Sequence, residues 1–96
     1  MAQKIVWKPE AKDDFHEIVD YLLNEWPDDV AEKFTEQVDK AQDFIQQHPA
    51  IGMKAGRLRS VRKIAIAPHY SLYYTFLNDE IWILNLLDNR QKEEKI

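Results

Sequence analysis

Residues 69–88 read HYSLYYTFLNDEIWILNLLD and show the clearest two-residue period in the chain. Over residues 69–77 the large apolar side chains fall on alternate positions, which is the pattern of a strand with one buried face. The Asn-Asp pair at 78–79 is typical of a hairpin turn. Residues 80–88 are apolar on both faces, as expected of a central strand. The segment therefore predicts two antiparallel strands joined by a tight turn.

Two further strands are predicted, one at the start of the chain and one just before this hairpin. Residues 4–8 and 58–67 also alternate between the two faces of a strand. Pro68 ends the second of them, because proline cannot donate to a strand ladder. Residues 51–57, which two glycines punctuate, are expected to form a loop.

Between the first strand and this loop, the period changes to that of an α-helix. Two apolar stripes recur at spacings of three and four residues: Ala11, Phe15, Ile18, Leu22 and Trp26, then Val30, Phe34, Val38, Ala41 and Ile45. The opposite face of the first helix carries Asp13, Asp14, Glu17 and Asp20. Pro27 separates the two stripes and Pro49 follows the second, so an antiparallel helical hairpin is predicted.

These elements predict the α+β fold class, in the order β-α-α-β-β-β. The sheet is expected to be antiparallel, with the N-terminal helical hairpin on one face and the other face open. Residues 1–96 are expected to form a single domain, because a chain of this length has room for one core. The charged segment 89–96 is expected to be a flexible tail.

The net charge of −4 hides a division between the two halves of the chain. Residues 1–50 have five basic and twelve acidic residues, whereas residues 51–96 have eight basic and five acidic ones. Residues 51–77 contain no acid at all. These charges are either simply solvated or gathered into a cationic face for an anionic partner, and the acid-free run favours the second interpretation. The candidate target-binding residues are Arg57, Arg59, Arg62, Lys63 and Arg90.

Neighbours on a strand point to opposite faces, which constrains this cationic face. Arg62 and Lys63 are adjacent, so at most one of them is expected to be fully exposed on the helix-free face. The other is expected to extend past the helices or to lie at an edge.

Several classes of function are not expected. The chain has no cysteine, which excludes disulfides, cysteine zinc sites and a thiol nucleophile. The sequence starts without the apolar run of a signal peptide, and no apolar stretch is long enough for a bilayer, so a cytoplasmic protein without a membrane partner is expected. There is no convergent metal-ligand set and no glycine-rich phosphate loop, so we expect no metal and no cofactor.

Short motifs along the whole chain resemble one known family. They are VW at 6–7, PEA at 9–11, DF at 14–15, HPAIG at 48–52, VRK at 61–63, YY at 73–74 and DNRQ at 88–91. In this order, and with the predicted topology, they resemble the RelE/ParE toxin superfamily, also called plasmid stabilisation proteins. Each motif alone is weak, but together they cover nearly the whole chain.

This resemblance implies the toxin of a bacterial type II toxin–antitoxin system, neutralised by a cognate antitoxin from the same operon. Two activities occur on this fold in the superfamily. One branch cleaves messenger RNA in the ribosome, and the other, which is ParE-like, poisons DNA gyrase without cutting nucleic acid. The fold alone does not choose between them.

An endoribonuclease would need a base, an acid and cations that stabilise the developing phosphorane charge. His69 and Tyr73 are expected on the same strand face, and Arg62 and Arg90 are the candidate cations. Against this interpretation, no tyrosine or histidine follows Tyr74, although the ribonuclease branch tends to place one after its last strand. The overall acidity also differs from that of a protein that docks on ribosomal RNA.

The first hypothesis is therefore a ParE-like toxin that acts by binding a macromolecular target such as DNA gyrase. The alternatives are a ribosome-dependent mRNA endoribonuclease and a degenerate member without toxicity. Whether the protein is an enzyme stays open. Arg90 has two interpretations of its own, as a functional residue or as the ion-pair partner of Asp88 or of an acidic residue on a helix.

Overall fold

The computed structural model describes residues 4–55 and 58–90, apart from the side chains of residues 58, 59 and 77. Its elements are β1 (Lys4–Trp7), α1 (Pro9–Glu25), α2 (Asp28–Gln47), β2 (Met53–Ala55), β3 (Leu58–Ile66), β4 (Tyr70–Leu77) and β5 (Glu80–Asp88). The candidate Arg57 lies outside the described residues, as do residues 91–96 of the expected tail.

The α+β fold class is confirmed, with two corrections to the predicted sheet. The sheet has five strands in the order β1-β5-β4-β3-β2, because part of the expected loop pairs with β3 as β2. Three residues are too few for a period of two to be recognised. β1 pairs with β5 in parallel, so the sheet is mixed rather than antiparallel. The direction of this pairing depends on the path of the intervening helices, which the strand pattern does not encode.

The hairpin of β4 and β5 supplies one wall of the core, as the alternation predicts. Asn78, at its turn, has a φ of 55°, a conformation that asparagine tolerates better than most residues. Its side chains in the core cluster are Tyr70, Leu72, Tyr74, Ile81, Ile83 and Leu86. The helices cover them with Leu22, Ala31, Phe34, Val38, Ala41 and Ile45. The ring of Phe34 meets the edge of the Tyr70 ring at a centroid distance of 5.2 Å.

One member of the predicted apolar stripe is not in this core. Trp26 follows the last residue of α1, has an extended backbone, and is 55% exposed. Because the helix ends before Trp26, the spacing of three and four no longer directs its side chain inward. The indole lies instead at the surface, beside the turn between the helices.

A β-bulge in β5 is tied to the first helix through Asp14. Tyr73 pairs with Asn85 whereas Tyr74 pairs with Ile83, which leaves one extra residue in β5. The Asp14 carboxylate accepts hydrogen bonds from the backbone N–H of Leu86 at 3.0 Å and from the Asn85 amide at 3.2 Å. Asp14 is therefore a structural residue on the sheet side of α1, rather than part of its outer acidic face as the helical spacing predicted.

The HPAIG motif after α2 is held by the buried phenol of Tyr74. The hydroxyl donates to the carbonyl oxygen of Pro49 at 2.8 Å and accepts from the backbone N–H of Gly52 at 2.9 Å. Burial raises the pKa of the Tyr74 phenol above 10.0, so the hydroxyl is protonated and can donate at neutral pH. A side chain at position 52 would collide with this arrangement, since a Cβ there would lie 2.6 Å from the Tyr74 hydroxyl and 2.8 Å from the Lys63 carbonyl oxygen.

We predict that Gly52→Ala lowers the free energy of unfolding by about 1–3 kcal/mol, because the added methyl group overpacks this site. Urea denaturation measures the effect. Lys54→Ala, which changes an exposed side chain two residues away, is the control and is expected to stay within about 0.5 kcal/mol of the unaltered protein. Equal stability of the two variants would contradict the role assigned to Gly52.

Candidate functional site

The register of the sheet separates the adjacent candidates Arg62 and Lys63. Arg62 pairs with Tyr74, whose side chain faces the helices, and Lys63 pairs with Tyr73. Side chains at paired positions share a face, so Lys63 lies on the helix-free face and Arg62 on the helix side. Tyr73 is only 7% exposed although no helix covers its face.

Arg62 is engaged in holding the loop that follows α2. Its Nη1 donates to the carbonyl oxygens of Gly52 at 2.7 Å and of Ala50 at 3.2 Å. These carbonyls belong to the same loop segment that the Tyr74 hydroxyl binds at Pro49 and Gly52. The guanidinium thus completes the anchoring of the HPAIG segment, which is a structural role that the sequence did not predict.

Arg90 follows the end of β5, beside the start of β4, and pairs with Asp88. Its Nη2 and Nε reach the two carboxylate oxygens at 3.1 and 3.3 Å, and its backbone N–H donates to the same carboxylate at 2.9 Å. The hydrogen bond from the Arg90 side chain holds the pKa of Asp88 below its ordinary value of 3.8. Of the two interpretations of Arg90, the ion pair with Asp88 is the one present in the structure.

His69 belongs to this same end and not to a cluster with Tyr73. It lies in the turn before β4, where its ring covers that of Tyr70 at 4.7 Å. Its Nε2 is 4.0 Å from the Asp88 carboxylate and, among the described residues, has no hydrogen-bond partner although the atom is buried. Tyr73 is four residues further on, about 13 Å along an extended strand.

The described cations therefore do not form a single face. The Lys63 side chain lies on the helix-free face, and the Arg62 guanidinium binds carbonyls of the α2–β2 loop. The Arg90 guanidinium pairs with Asp88 at the end of β5. Arg59 lies in β3, but its side chain is outside the part of the chain that the structure describes. Strand alternation and local hydrogen-bond acceptors explain this dispersal.

Two adjoining clefts lie where the helices meet this His69 end of the sheet. One, of about 510 Å³, is lined on its polar side by Asp14, Glu17 and Asp88. The other, of about 440 Å³, is bounded by Trp26 and the turn that carries His69. Tyr21, Tyr70 and Arg90 line both clefts.

Neither Tyr21 nor Trp26 is predicted as a surface residue from the sequence. Tyr21 lies outside the apolar stripe of α1, and Pro27 directly follows Trp26. Together these two signals indicate aromatic side chains that the helix cannot bury.

Burial and the neighbouring Asp88 charge both raise the pKa of the Tyr70 phenol, which lines the two clefts, so this group also stays neutral at physiological pH.

Among the residues of 4–55 and 58–90, no three acidic or histidine side chains are grouped as metal ligands. In the same ranges, every helix is too short or too polar to span a bilayer.

The fold and the motifs agree with a family match. The sequence model of a family described as the ParE toxin of the type II toxin–antitoxin system parDE matches residues 5–93. The chain therefore belongs to the ParE toxin family, and the resemblance inferred from the short motifs is confirmed. A search of curated proteins gave no match.

Solved structures of related toxins share the fold. The chromosomal ParDE toxin–antitoxin system from P. aeruginosa has a TM-score of 0.74 at 19% identity, covering 91% of this chain and 96% of that one. The YoeB dimer from Staphylococcus aureus has a TM-score of 0.67 at 20% identity, covering 88% and 94%. The RelBE2 toxin–antitoxin complex from Mycobacterium tuberculosis has a TM-score of 0.65 at 16% identity, covering 92% and 99%. At these identities the likeness concerns the fold alone.

We predict that Arg62→Met lowers the free energy of unfolding by about 1–3 kcal/mol, because loop carbonyls lose their donor. The matched variant Lys63→Met, on the next residue and the opposite face, is expected to change it by less than about 0.5 kcal/mol. Urea denaturation compares them. Equal losses would show that Arg62 does not anchor the loop.

We predict that the Asp88–Arg90 pair stabilises the protein only above acid pH. Because the pKa of Asp88 is lowered in the folded protein, this contribution is complete above about pH 4 and is lost as the pH falls through the folded pKa. Arg90→Met should therefore be less stable than the unaltered protein at neutral pH, with the difference closing in acid.

Thermal unfolding as a function of pH measures this effect. Lys8→Met is the control, because Lys8 and Glu10 form an exposed pair at 3.9 Å that should matter little. A stability difference for Arg90→Met that is independent of pH would contradict the assignment.

Proposed function

We propose that this chain is a ParE-like toxin that acts in the cytoplasm by binding a macromolecular target such as DNA gyrase, and that a cognate antitoxin neutralises it. Membership of the ParE family supports the general class. The proposed mode of action rests on where the candidate catalytic side chains lie.

Cleavage of RNA by acid and base requires the participating groups within hydrogen-bond reach of one substrate. Here His69 and Tyr73 lie apart, while Arg62 in the middle of β3 binds loop carbonyls and Arg90 after β5 binds Asp88. Both arginines already have acceptors, so moving either to a phosphate would cost hydrogen bonds that hold the fold. This arrangement favours action through surface contacts over action through a catalytic centre.

An antitoxin partner is supported by the described surface and by relatives. Several large apolar side chains are about half exposed or more: Tyr21, Leu23, Trp26, Phe44, Ile51 and Met53. Apolar surface of this kind marks interaction sites when it is contiguous. The structures from P. aeruginosa and M. tuberculosis are named as a toxin–antitoxin system and a toxin–antitoxin complex.

We predict that expression of the chain alone in bacteria stops cell division and induces the SOS response, because inhibited gyrase leads to DNA damage. Microscopy and an SOS reporter measure this, and messenger RNA length is followed in the same cells. Co-expression with the cognate antitoxin should restore growth.

The variant His69→Ala separates the alternatives. A gyrase-directed toxin should keep its effect on division in this variant, provided that circular dichroism shows it folded. Rapid cleavage of messenger RNA that His69→Ala abolishes would indicate the ribonuclease instead. Unimpaired growth with abundant folded protein would indicate a non-toxic member, and either result would overturn the proposal.

A further inference from the structure

The loop that follows α2 is held firmly although it carries exposed apolar side chains. The buried Tyr74 hydroxyl binds its backbone at Pro49 and Gly52. The Arg62 guanidinium binds it at Ala50 and Gly52. Because both side chains come from central positions of the sheet, these hydrogen bonds fix the loop relative to β3 and β4.

Within this loop, position 52 faces the protein and its neighbours face outward. A Cβ at Gly52 would lie against the Tyr74 hydroxyl and the Lys63 carbonyl oxygen. Ile51 and Met53, on either side of it, are 48% and 71% exposed. The contacts that bury position 52 therefore present two large apolar side chains on the outside of the molecule.

Strand pairing places a cation beside one of these side chains. Met53 pairs with Lys63 across β2 and β3, on the helix-free face. Directly opposed residues have Cβ atoms about 4.5–5.5 Å apart. Among the described residues, Lys63 takes part in no ion pair. We call the surface formed by Ile51, Met53 and Lys63 the Met53 surface.

The Met53 surface is both accessible and already formed. β2 is the last strand of the sheet, so the surface is open from the side as well as from the helix-free face. Exposed apolar side chains that lie next to one another mark interaction sites. A fixed loop loses little conformational freedom on binding, so contacts made by its side chains contribute more fully to affinity.

The charges around the Met53 surface favour an acidic protein as its partner. Residues 44–78 contain no aspartate or glutamate. A nucleic acid would need several cations for its phosphates, whereas the Met53 surface offers one lysine between apolar side chains. A second copy in a two-fold arrangement would bring the two Lys63 side chains towards each other, which is unfavourable.

Other exposed apolar side chains belong to a different part of the molecule. Tyr21, Leu23 and Trp26 lie near the turn between the helices. The Met53 surface lies beyond the other end of α2, a helix of 20 residues and therefore about 30 Å long. The chain thus has two separate apolar surfaces, of which the Met53 surface is the one in the acid-free segment.

We propose that the Met53 surface is where the toxin binds its target protein. Ile51 and Met53 occupy an apolar recess of the target, and Lys63 lies beside a carboxylate at the border of that recess. This rests on the proposed function, because the partner is the target that the toxin inhibits.

The test measures how much toxin is needed for half inhibition of DNA supercoiling by purified gyrase. The charge variants are Met53→Glu and Lys63→Glu. Their control is Lys54→Glu, on the next residue of β2, which is exposed and pairs with Arg62 on the helix side.

A further variant removes apolar surface without adding charge. Ile51→Ala truncates the exposed side chain of the loop, and Gln47→Ala truncates an exposed side chain of similar length at the end of α2. Calorimetry with the cognate antitoxin is run on every variant, and urea denaturation verifies that each one is folded.

We expect Ile51→Ala and Met53→Glu to raise the concentration for half inhibition roughly tenfold, because apolar contacts with the target are lost. Lys63→Glu should raise it about tenfold, and more at lower ionic strength, where charges are less screened. Both controls should stay within about twofold of the unaltered toxin. Affinity for the antitoxin should change by less than about twofold in every variant.

Four results would overturn the proposal. If the surface variants inhibit as strongly as the controls, the target binds elsewhere and the proposed function stands. If the unaltered toxin does not inhibit gyrase, the proposed function fails as well. If the surface variants lose antitoxin binding but keep inhibition, the occupant is the antitoxin. If the toxin alone dimerises in the ultracentrifuge and Met53→Glu makes it monomeric, the occupant is a second copy of the chain.

Discussion

Burial of one face of the β4–β5 hairpin against two helices is the constraint on which the rest of the structure depends. It places Tyr74 in the core, and a buried phenol must satisfy its hydroxyl. The hydroxyl does so with Pro49 and Gly52, which fixes where the chain leaves α2 and enters β2. Arg62 reinforces the same loop from β3. A motif that marks the family is thus explained by packing and hydrogen bonding.

The same constraint determines what the charged side chains can do. Once β3 is in register with β4, Arg62 is directed to the helix side and Lys63 to the other, so these two adjacent basic residues do not share a face. At the far end, Asp88 is two residues from Arg90 and engages its guanidinium. Arginines that already bind acceptors within the chain are poorly suited to stabilise a transition state, and this is the link between the fold and the proposed action by binding.

The parts that could be predicted from the sequence are those governed by local periodicity. The strands of residues 69–88 and the two helices were found within about two residues, because alternation and helical spacing are repeated several times there. The Arg90–Asp88 pair is also among the alternatives that the sequence predicts, because the two residues are only two positions apart.

What could not be predicted depends on contacts distant in sequence. The pairing of β1 with β5 and the hydrogen bonds of Asp14 join residues from opposite ends of the chain. The exposure of Trp26 follows from the helix ending one residue earlier than the apolar spacing suggested. A local period gives no information about such features.

The most direct test of the account uses the purified chain in two reactions run side by side, DNA supercoiling by gyrase and translation of a defined messenger by ribosomes. The account predicts that supercoiling is inhibited in proportion to the toxin added, while the messenger stays intact. Cleaved messenger with unaffected gyrase would contradict it, because the dispersed side chains of this sheet would then have to assemble into a catalytic centre.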